Sequence, residues 1–202
     1  MSTISSICVY CGAGSGTDPA HLAAATALGH ILADQKIRLI YGGGTIGMMG
    51  AISSAVQERN GMVTGIIPRF LLDMEASHAD LEGLDELILT EDMHERKRTM
   101  FEKADAFIAL PGGIGTLEEL VEQLTWAQLG RHRKPVLLAN INNFWQPLID
   151  LISHMQDESY IRKGFEVTFL NTDRVDQIVP LLQQAALEAT EAEGPLESIG
   201  RL

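Results

Sequence analysis

The chain has 202 residues, 46% hydrophobic and 21% charged, a balance that suits one well-buried globular domain. Its 27 acidic and 15 basic side chains leave a formal charge of −12, which argues against a nucleic-acid or anionic-membrane partner surface. No apolar stretch approaches the ~20 residues of a transmembrane helix, and the opening residues lack a signal-peptide pattern, so cytoplasmic residence is expected.

Residues 4–10 form a continuous apolar run, the mark of a strand buried on both faces of a parallel sheet. A turn rich in glycine follows (Gly12, Gly14, Gly16), and Asp18-Pro19 then reads as an N-cap with Pro at the first helical position. The Ala- and Leu-rich helix runs to about residue 34, and a second strand covers 36–41. A second glycine turn, 42–47, opens a helix over 48–59, and a third strand spans 62–67. Residues 69–83 read as a short helix plus a mobile loop. Strands are expected at 86–90, 106–110, 135–139 and 167–170, and helices at 92–103, 117–129, 145–158 and 174–189. The acidic segment 190–202, with Gly194-Pro195, reads as a disordered tail. Alternation of strand and helix with short links predicts an α/β fold: one Rossmann-like domain over 1–189, its parallel sheet covered by helices on both faces. Ligands of such sheets bind beyond the carboxyl ends of the strands, and all three glycine turns fall at that edge.

Cys8 and Cys11 make a C-x-x-C spacing. No second cysteine pair completes a zinc site, and no Pro follows to shape a redox turn. Both are read as structural, with Cys8 packed as a small hydrophobe.

The turn after the fifth strand is the most informative. Pro111-Gly112-Gly113-Ile114-Gly115-Thr116 joins a strand to a helix, which is the arrangement of a phosphate cradle. Two readings of Glu119 stand: with Thr116 it fits the S/T-x-x-E capping box, or it brings a carboxylate to bound substrate. Gly42, Gly44 and Gly47 fit the dinucleotide fingerprint, but the next strand ends at Pro68-Arg69 rather than at an acidic residue for the ribose, a pattern that would suit only a 2′-phosphorylated dinucleotide. Close helix-to-sheet packing is the simpler reading. Ser15, at the same edge, could donate to a ligand. No Gly-Lys-Ser/Thr ending exists for ATP hydrolysis.

In the helix over 92–103, Met93, Arg96 and Met100 recur at helical spacing. Arg96 either snorkels to water from the apolar face or turns its guanidinium toward an anion or carboxylate. Arg98 falls on another face.

Together these residues resemble the LONELY GUY (LOG) family of cytokinin-activating phosphoribohydrolases, often misnamed lysine decarboxylases. The family's P-G-G-x-G-T-x-x-E motif runs in full from Pro111 to Glu119, and its M-x-x-R-K motif from Met93 to Lys97. The resemblance extends over residues 4–161. It implies hydrolysis of the N-glycosidic bond of adenine-type nucleoside 5′-monophosphates, either AMP or its N6-prenylated forms, giving free base and ribose 5-phosphate. It implies Arg96 and Glu119 as the catalytic pair. Met93, Lys97, Gly112, Gly113, Ile114, Gly115, Thr116, Leu117, Glu118 and Thr125 would line the nucleotide site. Ser15 would join them. Apart from the resemblance, the loop over 70–82 is expected to shape the choice of base, with His78 lining it. No metal or organic cofactor is implied, and the short members are homodimers. A non-catalytic carrier of nucleotide or molybdenum cofactor on the same fold is the alternative.

Overall fold

β1 (Ser6–Tyr10) is buried at all five positions, as a strand must be when helices cover both faces of its sheet. Its side chains alternate: Ile7 and Val9 enter one hydrophobic layer, Cys8 and Tyr10 the other. The computed structural model of the chain describes residues 4–72, 81 and 83–191. Within them, six more strands lie parallel to β1: β2 (Arg38–Tyr41), β3 (Val63–Pro68), β4 (Glu86–Thr90), β5 (Ala106–Ala109), β6 (Val136–Ala139) and β7 (Leu170–Thr172). The sheet order is β4-β3-β2-β1-β5-β6-β7.

Six α-helices complete the described fold: α1 (Pro19–Asp34), α2 (Gly47–Glu58), α3 (Met93–Lys103), α4 (Ile114–Gln128), α5 (Gln146–Asp157) and α6 (Val175–Glu191). The apolar residues of α1, α2 and α6 pack with one face of the sheet, and those of α3, α4 and α5 with the other. This is the Rossmann-like α/β architecture expected from the alternation. Asp18 caps α1 as its sequence predicts, accepting from the Ala20 N–H at 2.9 Å, with Pro19 at the first helical position.

The chain builds outward from β1 to β4, then crosses back to lay β5 on β1's other side. The β1/β5 crevice is therefore the topological switch point, where such sheets bind ligands. The two turns that leave it are tied together, with Gly12 N–H donating to the Pro111 carbonyl at 3.1 Å. A Cβ on Gly112 would overlap Thr116 Oγ1 and crowd the Gly12 nitrogen, so only glycine lets the turns meet this closely.

Two boundaries differ from expectation. β7 lies at Leu170–Thr172 because its pairing with β6 sets Leu137 opposite Leu170; Val167 and Phe169 pack instead on the α3–α5 layer. α6 continues through Glu191, so the first two residues of the expected tail are helical; 192–202 lie outside the described residues. Within the segment expected as a short helix plus loop, Arg69–Leu71 form a 3₁₀ turn and Leu72 is helical, and residues 73–80 and 82 lie outside the described residues. His78 and most of its loop lie outside the described residues. Among the described residues no helix is long and apolar enough to cross a membrane. Cys8 and Cys11 are buried and unbonded to one another, and burial pushes both thiols well above the ordinary thiol range.

Candidate active site

The site begins with the phase of α3. Asp92 caps this helix, accepting from the Glu95 N–H at 2.8 Å. With that start, Arg96, Lys97 and Met100 fall on the buried face and Arg98 stays exposed. Arg96 does not snorkel, since only 6% of it is exposed. Its Nε donates to the Ile66 carbonyl at 3.2 Å and its Nη2 to the Gly42 carbonyl at 3.1 Å, near the carboxyl ends of β3 and β2. The remaining nitrogen, Nη1, lies 3.8 Å from Met93 Sδ and 3.9 Å from Glu119 Oε1. Two backbone anchors thus aim a guanidinium at a carboxylate, just beyond direct hydrogen-bond range.

Glu119 arrives from α4. That helix starts at an N-cap of Gly113, which offers no side-chain cap, and Thr116 is already inside its first turn. A capping box needs its Thr at the cap itself. The capping reading of Glu119 is therefore overturned: the residue lies a turn deeper, buried, with its carboxylate toward Arg96. The helix's first N–H groups are left facing the crevice without a side-chain acceptor from the cap, and the positive end of the helix dipole lies there too.

A cleft of about 520 Å³ opens over this pair. From the sequence-derived set it gathers Met93, Arg96, Gly112, Gly113, Gly115, Thr116 and Glu119. Ser15, Lys97, Ile114, Leu117, Glu118 and Thr125 are not among its lining residues. Lys97 instead joins α3 to α4, its ammonium 2.6 Å from Glu118 Oε1 and 3.2 Å from Glu122 Oε1. Burial alone would push this lysine down, but the hydrogen bonds to Glu118 and Glu122 outweigh it and hold the ammonium above its ordinary range. Thr125 is exposed on the outer face of α4, its hydroxyl bonded to the Val121 carbonyl at 2.7 Å.

The second glycine turn is filled by the protein itself. A Cβ at Gly42 would overlap Arg96 Nη2, and one at Gly47 would strike the Ala13 carbonyl. Gly42 thus makes room for the Arg96 guanidinium and Gly47 for the neighbouring turn, which agrees with the close-packing reading of these glycines. Gly113 and Gly115 are the opposite case, since a Cβ on either would meet nothing within 4 Å. Gly115→Ala should therefore give a protein that is equally stable or up to about 1 kcal/mol more stable, from helix propensity alone. Its added methyl stands where a ligand would approach the helix terminus. Calorimetric ribose 5-phosphate binding and a thermal melt should show weaker binding beside an unchanged or raised Tm.

Sequence reasoning passed over His21 and Phe144, which also line the cleft. His21 had a weak signal, its place in the first turn of a helix at the ligand edge. Phe144 had none, because the β6–α5 connection reads as an ordinary loop. Among the described residues no group of three His, Cys, Asp or Glu side chains could hold a metal ion.

A family described as "Possible lysine decarboxylase" matches residues 49–182. The cytokinin riboside 5′-monophosphate phosphoribohydrolase LOG7 of Arabidopsis thaliana is 42% identical over 190 residues, covering 94% of this chain and 86% of the relative. LOG5 of the same plant, with the same enzyme name, is 44% identical over 177 residues, covering 88% and 76%. Among solved structures, the molybdenum cofactor binding protein of Rippkaea orientalis superposes with a TM-score of 0.67 over 91% of this chain and 98% of that one, at 23% identity, a likeness of fold alone. Identity above 40% across nearly the whole chain places it in one group: the chain belongs to the LOG family of cytokinin riboside 5′-monophosphate phosphoribohydrolases.

Proposed function

We propose that this protein hydrolyses the N-glycosidic bond of adenine-type nucleoside 5′-monophosphates, releasing the free base and ribose 5-phosphate. The observation that carries the reading is the buried Arg96–Glu119 pair at 3.9 Å, on the floor of a cleft that opens at the uncapped amino terminus of α4. The phosphate sits at that terminus, against Gly113–Thr116, where backbone N–H groups and the dipole favour an anion. The ribose then lies over Glu119. As the C1′–N bond lengthens, positive charge builds on the sugar, as in glycoside hydrolysis. The Glu119 carboxylate stabilises that charge and accepts a proton from the attacking water. The water's oxygen bonds to C1′, the bonding pair leaves with the base, and the base takes up one proton from solvent as Glu119 releases to solvent the one it accepted. Arg96, fixed by two carbonyls, holds Glu119 in place and offsets its charge in the resting state. Leu71, Met49 and Met93 add apolar lining to the cleft, which suits a base carrying an apolar N6 substituent.

Incubation with AMP and with isopentenyladenosine monophosphate, followed by chromatography, tests the reading. Free base is expected from at least one, and none from either overturns it. The carrier alternative predicts tight binding without turnover. Its structural support is a likeness at 23% identity, which does not extend to ligand.

The reading includes a homodimer. Ile114 (81% exposed), Val121 (43%) and Leu129 (62%) leave apolar surface along α4, and Thr125 is exposed on the same helix. A second copy on this face would bring Thr125's expected nucleotide contact across a subunit boundary. Light scattering should give twice the monomer mass for the native chain and the monomer mass for Val121→Glu. A monomeric native chain would reject this part of the reading. Two buried, unbonded cysteines suit a reducing compartment, and cytoplasmic residence belongs to the same proposal.

A further inference from the structure

His21 stands in the cleft without a task in the scheme above. It lies in the first turn of α1, three residues after the Asp18 cap, and is 9% exposed. Its ring is held by packing more than by hydrogen bonds. Phe144 meets it edge-on, centroids 5.4 Å apart at 82°, and Nε2 is 4.0 Å from Asp18 Oδ2. Its Nδ1 side faces the first glycine turn, where a Cβ on Gly16 would lie 3.5 Å away.

The surroundings are built to fix this ring. Asp18 is itself locked, with Oδ1 accepting from Ala20 N–H at 2.9 Å and Oδ2 from Asn142 Nδ2 at 2.7 Å. Those bonds, the one from Asn142 foremost, hold its carboxyl below the ordinary range. Asn142 and Asn143 both adopt left-handed backbone conformations (φ 50° and 61°), a geometry asparagine tolerates better than most residues. That double turn delivers Asn142 to Asp18 and Phe144 to His21. The β6–α5 connection and the start of α1 therefore close together around one imidazole.

Position identifies what the imidazole meets. Arg96 is anchored at the carboxyl ends of β2 and β3, and Glu119 faces it there. His21, from the start of α1, and Phe144, from the β6–α5 connection, line the same cleft as Gly113, Gly115 and Thr116 at the α4 amino terminus. Glu119 and Arg96 take the sugar and its glycosidic bond, so His21 is left to the other end of the nucleotide. An unshielded Asp18 carboxylate would repel a phosphate there. With Nε2 turned toward Asp18 at 4.0 Å, the ring can offer Nδ1 as a donor to a phosphate oxygen.

We propose that His21 is a phosphate-binding residue that selects nucleotides over nucleosides, completing with its ring the anion site begun by the α4 amino terminus. This rests on the phosphoribohydrolase reading for the identity of the ligand, but its test does not need turnover. His21→Phe keeps an aromatic ring against Phe144 and removes both donors, and His21→Gln keeps one donor and loses the ring. Calorimetry with ribose 5-phosphate and with adenine reads the two ends of the site separately.

His21→Phe should weaken ribose 5-phosphate binding by about tenfold or more, as expected for a charge-assisted hydrogen bond, with adenine binding unchanged. His21→Gln should fall between Phe and wild type for ribose 5-phosphate. With the nucleotide substrate, the Phe variant should show the loss in KM and keep kcat within about threefold, as for an interaction shared by ground and transition states. Unchanged ribose 5-phosphate affinity in a folded Phe variant overturns the proposal, as does equal weakening of ribose 5-phosphate and adenine. Wild-type protein that binds ribose 5-phosphate but releases no base would reject the hydrolase reading and leave His21 to be judged by binding alone.

Discussion

Glu119→Gln lowers kcat for base release by about 10²–10⁴-fold and leaves the protein folded, the magnitude expected when a positioned acid–base group is lost. The size of the side chain is kept, so the buried position between α4 and Arg96 stays filled. Helix capping is not at stake, because the N-cap is Gly113 and no side chain caps the helix. The two roles the sequence left open for Glu119 therefore separate in one experiment. A cap would cost about 0.5–2 kcal/mol of stability and spare turnover; a catalyst spares stability and costs turnover. Nucleotide KM should change little, because the proposed phosphate contacts at Gly113–Thr116 are untouched. The measurement is single-turnover base release at saturating nucleotide, beside a denaturation midpoint. Near-native turnover with a lowered midpoint would remove Glu119 from the chemistry.

Much of this was legible in the sequence, for identifiable physical reasons. Strands buried on both faces read as unbroken apolar runs, and β1 and β5 are such runs. The chain order of strands and glycine turns then put three loops at one sheet edge. Glu119 and Arg96 were both found, but the reason each is buried was not. The capping box matched in letters alone, because sequence spacing says nothing of where a helix begins; the glycine run sets the N-cap of α4 at Gly113, three residues before Thr116. Arg96 looked compatible with snorkelling because its partners are backbone carbonyls of Gly42 and Ile66, distant in sequence and without side-chain signature. Lys97 adjoins Arg96 in the same motif, yet the helix turns its ammonium to Glu118 and Glu122. His21 and Phe144 escaped notice because their meeting depends on the β6–α5 turn folding back to α1.

Arg96 should be the more damaging position, since one side chain serves the fold and, in the proposed scheme, the reaction as well. Arg96→Ala leaves the Ile66 and Gly42 carbonyls without their donor and buries Glu119 without its facing cation. Breaking a buried ionic pair from one side costs about 3–5 kcal/mol, a large share of the roughly 5–15 kcal/mol that holds an ordinary domain together. Loss of activity in that variant would therefore be partly loss of protein, and Arg96→Lys carries the sharper test. Lysine keeps the charge but is a point donor on a flexible stem, unable to satisfy two carbonyls and face a carboxylate at fixed geometry. It should fold, with a denaturation midpoint between wild type and Ala, while kcat falls by about 10²-fold or more from loss of positioning. Adding Glu119→Gln to Arg96→Lys should then cost far less than Glu119→Gln costs alone, because groups that act as a unit lose their joint effect once. Fully additive losses in the double variant would mean that the arginine acts on the leaving base independently of the carboxylate, and that the 3.9 Å pairing is a feature of the resting site alone.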